Sequence, residues 1–385
     1  MVSIQFYLTL WLQAISLVNS LEFAKFSICP LDEICIPLSK CEPLMKLLNR
    51  RNMTKHEQSK FRNKLCNIDN FAHELVHMVF TCCPMVAGDK LPNSSVCGQS
   101  PPSLYIVGGM EAQPNQFPWT VLLGYNAYSA ERRGLSPMCA GSLIASRYVL
   151  TAAHCLSVED FYVASVRLGE HDTDNDPDCT RLPNGAKKCA PAYVDIDVDK
   201  RVPHEQYSKR NESHYNDIAL LRLKSRVKYT LQIRPICIWP GIELSNSSFE
   251  NQPFQIAGWG DSGQQHNSPV LLQGTISGMS PDECLNRYPT LRVDKDIHIC
   301  AMGRDGTDTG LGDSGSPLMA SVGRGAGQFY YLAGITSYGG GPSSYGCGPA
   351  VYTKTSSYYE WIKKEINKID VDELKIKYKS VKILI

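Results

Sequence analysis

The chain has 385 residues, a formal net charge of +1 at pH 7 and 20% charged residues. That length accommodates one large domain and a small one, and the near-neutral balance argues against nucleic acid or another polyanion as a partner. Beyond the first 20 residues no stretch is apolar for long enough to cross a bilayer, so no membrane partner is expected.

Residues 1–20 hold an apolar run from Ile4 to Val18 that ends in small or polar residues. The run reads as a secretory signal peptide without a positive leading region; a buried N-terminal helix is the alternative. Secretion places the 15 cysteines in an oxidising compartment, where they pair, and the odd number leaves at least one over. Asn-x-Ser/Thr triplets at Asn52, Asn93, Asn211 and Asn246 are glycosylation acceptors that fit the same compartment.

Residues 21–84 crowd together Cys29, Cys35, Cys41, Cys66, Cys82 and Cys83. A segment this short buries too little apolar surface to fold well alone, and cross-links compensate. Spacing leaves the pairing open, and the lack of paired CxxC units disfavours zinc. Residues 85–105 are rich in Pro, Ser, Gly and Asn, with a lone Cys97, and read as an exposed, cleavable linker. From Ile106 short strands alternate with Gly, Pro and Asn turns, for example Trp119–Leu123, Ser142–Leu150, Phe254–Trp259 and Tyr330–Thr336. That rhythm predicts an all-β sandwich or barrel. Ser357–Ile369 is predicted helical, with Trp361, Ile362, Ile366 and Ile369 on one face. Residues 369–385 form a charged and apolar tail.

Three segments carry chemistry: Thr151-Ala152-Ala153-His154-Cys155, Asn216-Asp217-Ile218-Ala219-Leu220-Leu221 and Gly312-Asp313-Ser314-Gly315-Ser316-Pro317. A serine hydroxyl is a weak nucleophile until a base takes its proton and a third group orients that base. Separately, Glu170 to Cys179 packs five carboxylates into nine residues before a cysteine. Carboxylates this close repel unless a cation or solvent screens them, and hard oxygen ligands favour Ca²⁺. A solvated acidic turn is the alternative.

With Ile106-Val107-Gly108-Gly109, the three segments above, Gly258-Trp259-Gly260 and Val351-Tyr352-Thr353, residues 106–368 resemble a chymotrypsin-like serine protease. The chain order His, Asp, Ser is that of this family. Phe23 to Pro84, ending in the adjacent Cys82-Cys83, resembles a clip domain, and the whole chain is similar to the arthropod clip-domain serine proteases of extracellular Toll, melanisation and clotting cascades. The resemblance implies an all-β fold: a double β-barrel with a C-terminal helix, preceded by a small disulfide-rich clip domain. It implies His154 as general base, Asp217 as its orienter, Ser314 as nucleophile, and the amides of Gly312 and Ser314 as the oxyanion hole. It implies the bridges Cys29–Cys82, Cys35–Cys66, Cys41–Cys83, Cys97–Cys237, Cys139–Cys155 and Cys284–Cys300. The acidic loop matches the family's calcium loop, with Glu170, Asp172, Asn175 (through its carbonyl) and Asp178 as ligands and Cys179–Cys189 as a clamp.

The specificity pocket implied by the resemblance has Asp308 at its base, six residues before the nucleophile, with Ser337, Gly339 and Ala350 on its walls. A buried carboxylate there selects Lys or Arg. Ser337-Tyr338-Gly339 would bind an extended substrate as an added strand. Activation would follow cleavage between Tyr105 and Ile106, the new Ile106 ammonium pairing with Asp313. Four positions depart from the family: Ser316 and Ala350 stand where it has glycine, Gly310 where it has cysteine, and Tyr105 where most relatives have Arg or Lys. Gly310 leaves Cys347 without its usual partner. Ala350 is expected to narrow the pocket, and Ser316 to cause only a packing adjustment. A trypsin-like enzyme does not cut after Tyr, so an upstream protease preferring aromatic or large apolar residues is expected. The other partners implied are a downstream zymogen as substrate and a serpin-type inhibitor. The alternative reading is a weak or inactive protease homologue acting as a cascade cofactor, disfavoured because His154, Asp217 and Ser314 are all present.

Overall fold

The structure is a computed structural model. It describes residues 33–38, 41, 44, 54–68, 79–84, 90–100, 110–128, 139–181, 187–210, 213–239, 249–261, 267–287, 289, 292–303, 309–310, 312–323, 328–339 and 348–368. Two compact units are present, one built on residues 1–88 and the other on residues 89–227 and 231–385.

The first unit contains strands β1 (Glu33–Pro37), β2 (Leu65–Ile68) and β3 (Val79–Pro84), joined as an antiparallel sheet in the order β1–β3–β2. Helix α1 (Lys55–Arg62) starts at a reciprocal cap: the Glu57 amide donates to Thr54 Oγ1 at 3.2 Å, and the Thr54 amide donates to Glu57 Oε2 at 2.8 Å. Such a cap contributes about 1 kcal/mol by satisfying amides the helix cannot. Phe61, Leu65, Phe80 and Cys82 are buried here. So small a core depends on covalent support, and Cys41–Cys83 supplies part of it. Cys66 and Cys82 are disulfide-bonded as well. The expected pairs Cys29–Cys82 and Cys35–Cys66 involve Cys29 and the Cys35 side chain, which lie outside the described residues.

The second unit holds two barrels. β5 (Thr120–Ala127), β6 (Ala140–Ala145), β7 (Tyr148–Thr151), β8 (Phe161–Leu168), β11 (Val194–Pro203) and β14 (Ala219–Leu223) close in the order β11–β14–β7–β6–β5–β8. The other barrel runs β15 (Pro253–Gly258), β18 (Pro317–Val322), β19 (Phe329–Gly339), β20 (Ala350–Lys354), β17 (His298–Gly303), β16 (Leu272–Met279), and a β15–β16 pairing closes it. The short strand β4 (Met110–Glu111) adds to the edge of β16. Two small strand pairings are added among the described residues: β9 (Cys179–Arg181) with β10 (Lys187–Cys189), and β12 (Ser208–Arg210) with β13 (Ser213–Tyr215), with helix α2 (Pro281–Arg287) beside β17. Closure leaves no long exposed edge in either barrel.

Two expectations are corrected. The stretch Ser142–Leu150 is not one strand but a hairpin, β6 and β7, turned at Ser146-Arg147. Every residue of both strands is buried, and the turn between them is only two residues long with no Gly or Pro to mark it. The linker is not exposed throughout: Cys97 and Gln99 are buried. Cys97 is bridged to Cys237, the Gly98 amide donates to the Pro235 carbonyl, and the Tyr330 amide donates to the Gly98 carbonyl. Gly98 has φ +67°, and a Cβ there would sit 2.1 Å from the Tyr330 carbonyl oxygen, so only glycine fits. Asn93 is exposed, with Ser95 donating to its side-chain oxygen; Asn52, Asn211 and Asn246 lie outside the described residues. Residues 355–358 form a 3-10 turn and 359–368 the helix, with Ile362 and Ile366 buried. Trp361 departs from the expected apolar face, its indole N–H donating to Glu205 at 2.8 Å.

Candidate active site

His154 sits in a 3-10 turn (Ala153–Leu156) directly after β7. The turn is pinned by the Cys139–Cys155 bridge and by Tyr125, whose hydroxyl donates to the Cys155 carbonyl at 3.0 Å. Asp217 precedes β14, where Asn216 takes a left-handed conformation (φ 53°) and Tyr358 donates to the Asn216 side chain at 2.9 Å. Thr353 anchors the Asp217 carbonyl at 2.8 Å. These supports bring two distant segments together: His154 donates its backbone N–H to Asp217 Oδ1 at 2.9 Å, and its Nδ1 lies 2.8 Å from Asp217 Oδ2. Ser337 donates to the same Oδ2 at 2.5 Å. Asp217 is fully buried. Burial pushes its carboxyl up, but the His154 and Ser337 hydrogen bonds outweigh that and hold it below its ordinary value.

Ser314 lies on the loop that enters β18. Its carbonyl accepts from the Ala140 amide at 2.8 Å, and the Gly315 amide donates to the Thr336 carbonyl at 2.9 Å, so the loop is pinned to both barrels. Gly315 (φ +80°) permits this, since a Cβ would lie 2.3 Å from both the Ala140 carbonyl and Thr151 Oγ1. The contact sets Ser314 against the segment leading into His154. The Ser314 hydroxyl makes no hydrogen bond to His154 Nε2 among the described contacts; such bonds commonly tighten when substrate arrives. Gly312 has φ +95°. The amides of Gly312 and Ser314 find no acceptor among the described residues and remain available to an oxyanion. Ser316 is explained by its neighbour: it is buried, and its hydroxyl lies 3.0 Å from Thr336 Oγ1.

Asp313 turns inward. Its carboxylate accepts from the amides of Gly260 and Gly310, each at 2.8 Å. A Cβ at Gly258 or Gly260 would lie within about 2.5 Å of this carboxyl group, so the Gly-Trp-Gly segment is the cradle that admits it. Burial pushes Asp313 up to about 6, against the two amide hydrogen bonds. Gly310 is likewise steric: a Cβ there would meet the Asp261 carbonyl oxygen at 2.5 Å, leaving no room for a cysteine side chain. Tyr105, Ile106, Asp308 and Cys347 lie outside the described residues.

Ser337 falls at a break in the β19–β20 register between Thr336 and Tyr338, which frees it to face Asp217. Gly339 ends the strand with open space around it. Ala350 pairs with Gly339 and Ala301 and is buried in the second-barrel core, which contains Ala301 and Tyr352. Its methyl therefore has apolar neighbours.

In the acidic loop, Cys179–Cys189 clamps the β9–β10 hairpin. Glu170 and Asp178 are brought together: burial raises both carboxyls, and the Asp178 charge raises Glu170 further. Asp178 Oδ1 and Thr120 Oγ1 are buried without partners, and both residues line a cavity of about 20 Å³ with Glu170. That is room for one water or ion. Asp172 is differently engaged: it accepts from the Asp174 amide at 3.1 Å and from the Asn175 side chain at 2.6 Å. Glu170, Asp172 and Asp178 do not converge on one point among the described residues. Glu170 and Asp178 line the cavity where a cation could sit, while the Asn175 side chain holds Asp172; the Asn175 carbonyl, the atom expected to ligate, takes no part in that bond.

Sequence reasoning missed an aromatic and imidazole cluster around Asp217. His214 meets His154 edge to face at 5.1 Å, stacks on Tyr338 at 5.7 Å and has its Nδ1 3.2 Å from the Tyr207 hydroxyl. His298 lies 2.9 Å from the His214 carbonyl through Nε2. Burial holds His214 below the ordinary histidine value despite Asp217. No motif announces these residues; the one signal is that His214 lies three positions before Asp217.

A paired pleated barrel, a buried Asp–His pair and a serine loop with free amides define a chymotrypsin-like serine protease. The family model "Trypsin" matches residues 106–362, and the model for the regulatory CLIP domain of proteinases matches residues 34–83. The chain therefore belongs to the trypsin family of serine proteases, within its clip-domain branch. It is 36% identical over 360 residues to the Spaetzle-processing enzyme of Drosophila melanogaster, covering 86% of this chain and 88% of that one. It is 32% identical over 397 residues to Melanization protease 1 of the same organism, covering 94% and 98%. The crystal structure of the Drosophila Grass clip serine protease of the Toll pathway matches with a TM-score of 0.60 at 28% identity, covering 86% of this chain and 94% of that one.

Proposed function

We propose that this chain is a secreted endopeptidase zymogen of an extracellular proteolytic cascade that cuts protein substrates after Arg or Lys. The observation that carries the reading is the Asp217–His154 pair, made by two hydrogen bonds at 2.9 and 2.8 Å and set against the Ser314 loop. Asp217 holds the His154 proton on Nδ1 and leaves Nε2 as the base. Nε2 takes the Ser314 proton as Oγ attacks the scissile carbonyl, and the imidazolium formed is stabilised by Asp217. The Gly312 and Ser314 amides receive the oxyanion. His154 then returns the proton to the leaving amine, and water repeats the cycle on the acyl-enzyme. Asp308 would pair with the basic side chain of the substrate.

Activation is cleavage between Tyr105 and Ile106. The buried Asp313 carboxylate, pushed up to about 6, supports this reading because a new ammonium beside it would relieve the cost of its charge. The activator is a protease that accepts Tyr105; a downstream zymogen is the substrate, and a serpin-type inhibitor ends the activity. The names of the relatives, one for Spaetzle processing and one for melanization, support a place in such a cascade. Calcium, held by Glu170 and Asp178, would neutralise the acidic loop and brace it. Asn93, exposed among the described residues, would be one glycosylation acceptor.

The test replaces Leu104-Tyr105 with the recognition site of a known protease, cuts there and profiles peptide hydrolysis. Cleavage after Arg or Lys, together with fluorophosphonate labelling of Ser314, is the expected result. A correctly cut, folded chain that neither labels nor hydrolyses would overturn the protease reading in favour of a cascade cofactor.

A further inference from the structure

The loop that carries Ser314 is held by contacts the chain makes without a new terminus. The chain is continuous from Met1 to Ile385, so residue 106 offers a peptide amide and no ammonium. Asp313 nevertheless points inward. Its Oδ1 accepts from the Gly260 amide and its Oδ2 from the Gly310 amide, each at 2.8 Å. The Asp313 amide donates back to the Gly310 carbonyl at 3.1 Å, which closes a tight loop on the carboxylate. Gly310 is itself pressed against the Asp261 carbonyl, and Asp261 pairs with Asn267 in an isolated bridge. The Ser316 amide donates to the Asp313 carbonyl at 2.9 Å, and the Thr336 amide to the Ser316 carbonyl at 3.0 Å. With the Ala140 bond to Ser314 and the Gly315 bond to Thr336, every residue from Asp313 to Ser316 has a backbone partner. The amides of Gly312 and Ser314 are left free, and the Asp217–His154 pair is already made. An effector shifts a conformational equilibrium only by its preference for one state over the other. A state that internal bonds already hold leaves less for an effector to shift.

We infer that the uncut chain is itself a peptidase: Asp313, held inward by the Gly260 and Gly310 amides, orders the Ser314 loop before the bond preceding Ile106 is cut. Cutting then multiplies an existing activity instead of creating one. The size of that step follows from the cradle. Burial pushes Asp313 from 3.8 up to about 6, because two amides do not replace its lost hydration. Its charge is therefore disfavoured there by roughly a hundredfold, two pKa steps of tenfold each. Relief of that penalty is what the Ile106 ammonium contributes, so cutting raises the rate by about a hundredfold and no more.

The inference rests on the protease reading, and one experiment separates the two. The full chain, with Leu104-Tyr105 replaced by the recognition site of a known protease, is assayed before and after cutting. A fluorophosphonate probe is added to both, and the products are run on a reducing gel, where only the cut enzyme separates into two pieces. The expected result is label on the full-length band, lost in Ser314→Ala, with peptide hydrolysis by the uncut chain within about a hundredfold of the cut rate. Ile106→Pro, whose ring and missing N–H hinder cutting, should keep the uncut rate and so exclude traces of cut enzyme. If that variant does not fold, the labelled full-length band carries the test by itself. A cut enzyme that labels and hydrolyses while the full-length band takes no label overturns the inference and leaves the protease reading standing. So does a gain on cutting beyond about a hundredfold. No label and no hydrolysis in either form removes the protease reading, and the inference with it.

Discussion

Two buried carboxylates in the same unit behave in opposite ways. Asp217 takes donors from His154 and Ser337, and these outweigh its burial and lower its pKa. It therefore stabilises the fold above its unfolded value of 3.8, and that stability is lost as pH falls through the lower folded value. Asp313 has two amide donors and no cation among the described residues, and its burial wins. Its folded value of about 6 lies above the ordinary 3.8, so between these the folded chain binds the proton more tightly than the unfolded chain does. Stability consequently falls as pH rises from about 4 to about 6, by roughly 3 kcal/mol in all. In the uncleaved chain, Asp313→Asn is expected to raise the urea midpoint at pH 7 and to leave it nearly unchanged at pH 4. An equal midpoint at pH 7 would mean that the carboxylate is already paired. The same variant should abolish activation, because the Ile106 ammonium would lose its partner.

At the scale of elements, the loop before the β9–β10 hairpin concentrates negative charge, from Glu170 to Asp178, that the chain itself only partly answers. Arg167 reaches Glu170 at 3.2 Å, but it also makes two hydrogen bonds to Asp195. Asp178 Oδ1 stays buried and unpartnered. A bound dication would satisfy that oxygen and remove the repulsion between Glu170 and Asp178. Calcium is expected to raise the unfolding temperature by several degrees, a chelator to reverse the gain, and Asp178→Asn to abolish the calcium response. An unfolding temperature indifferent to calcium would assign the loop to solvent. The position of Gly310 belongs to this scale too. The segment bearing it runs so close to the Asp261 carbonyl that a side chain has no room, and its amide is spent on Asp313. The missing cysteine is thus part of how this loop is packed.

For the whole molecule, the decisive covalent feature is Cys97–Cys237, which spans 140 residues. Cleavage after Tyr105 would leave Cys97 on the N-terminal piece and Cys237 on the protease piece. Activated protein is expected to run as one species on a non-reducing gel and as two after reduction; Cys97→Ser should give two without reduction. A native preparation that separates without reductant would show that this bridge does not tether the pieces. The backbone pairing of Gly98 with Pro235 and Tyr330 makes the joint an ordered part of the protease unit, which composition alone could not show. Pro, Ser, Gly and Asn report what a segment can tolerate and say nothing of whether a distant strand edge is waiting for it.

The linear order of His154, Asp217 and Ser314, each in its local context, was enough to point to the serine protease family to which the chain belongs, because that chemistry needs those groups and tolerates few substitutes. Alternating and continuous apolar runs were enough for an all-β class, since barrel strands must bury one or both faces. The hairpin at Ser146-Arg147 stayed hidden, because nothing in two fully buried strands marks the turn between them. The amide cradle of Asp313, the closed contact at Gly310 and the meeting of His214 with His298 and Tyr338 depend on segments tens of residues or more apart meeting within a few ångströms. Local pattern carries burial and conformation along the chain, whereas distances between side chains on different strands are set only when the barrels close.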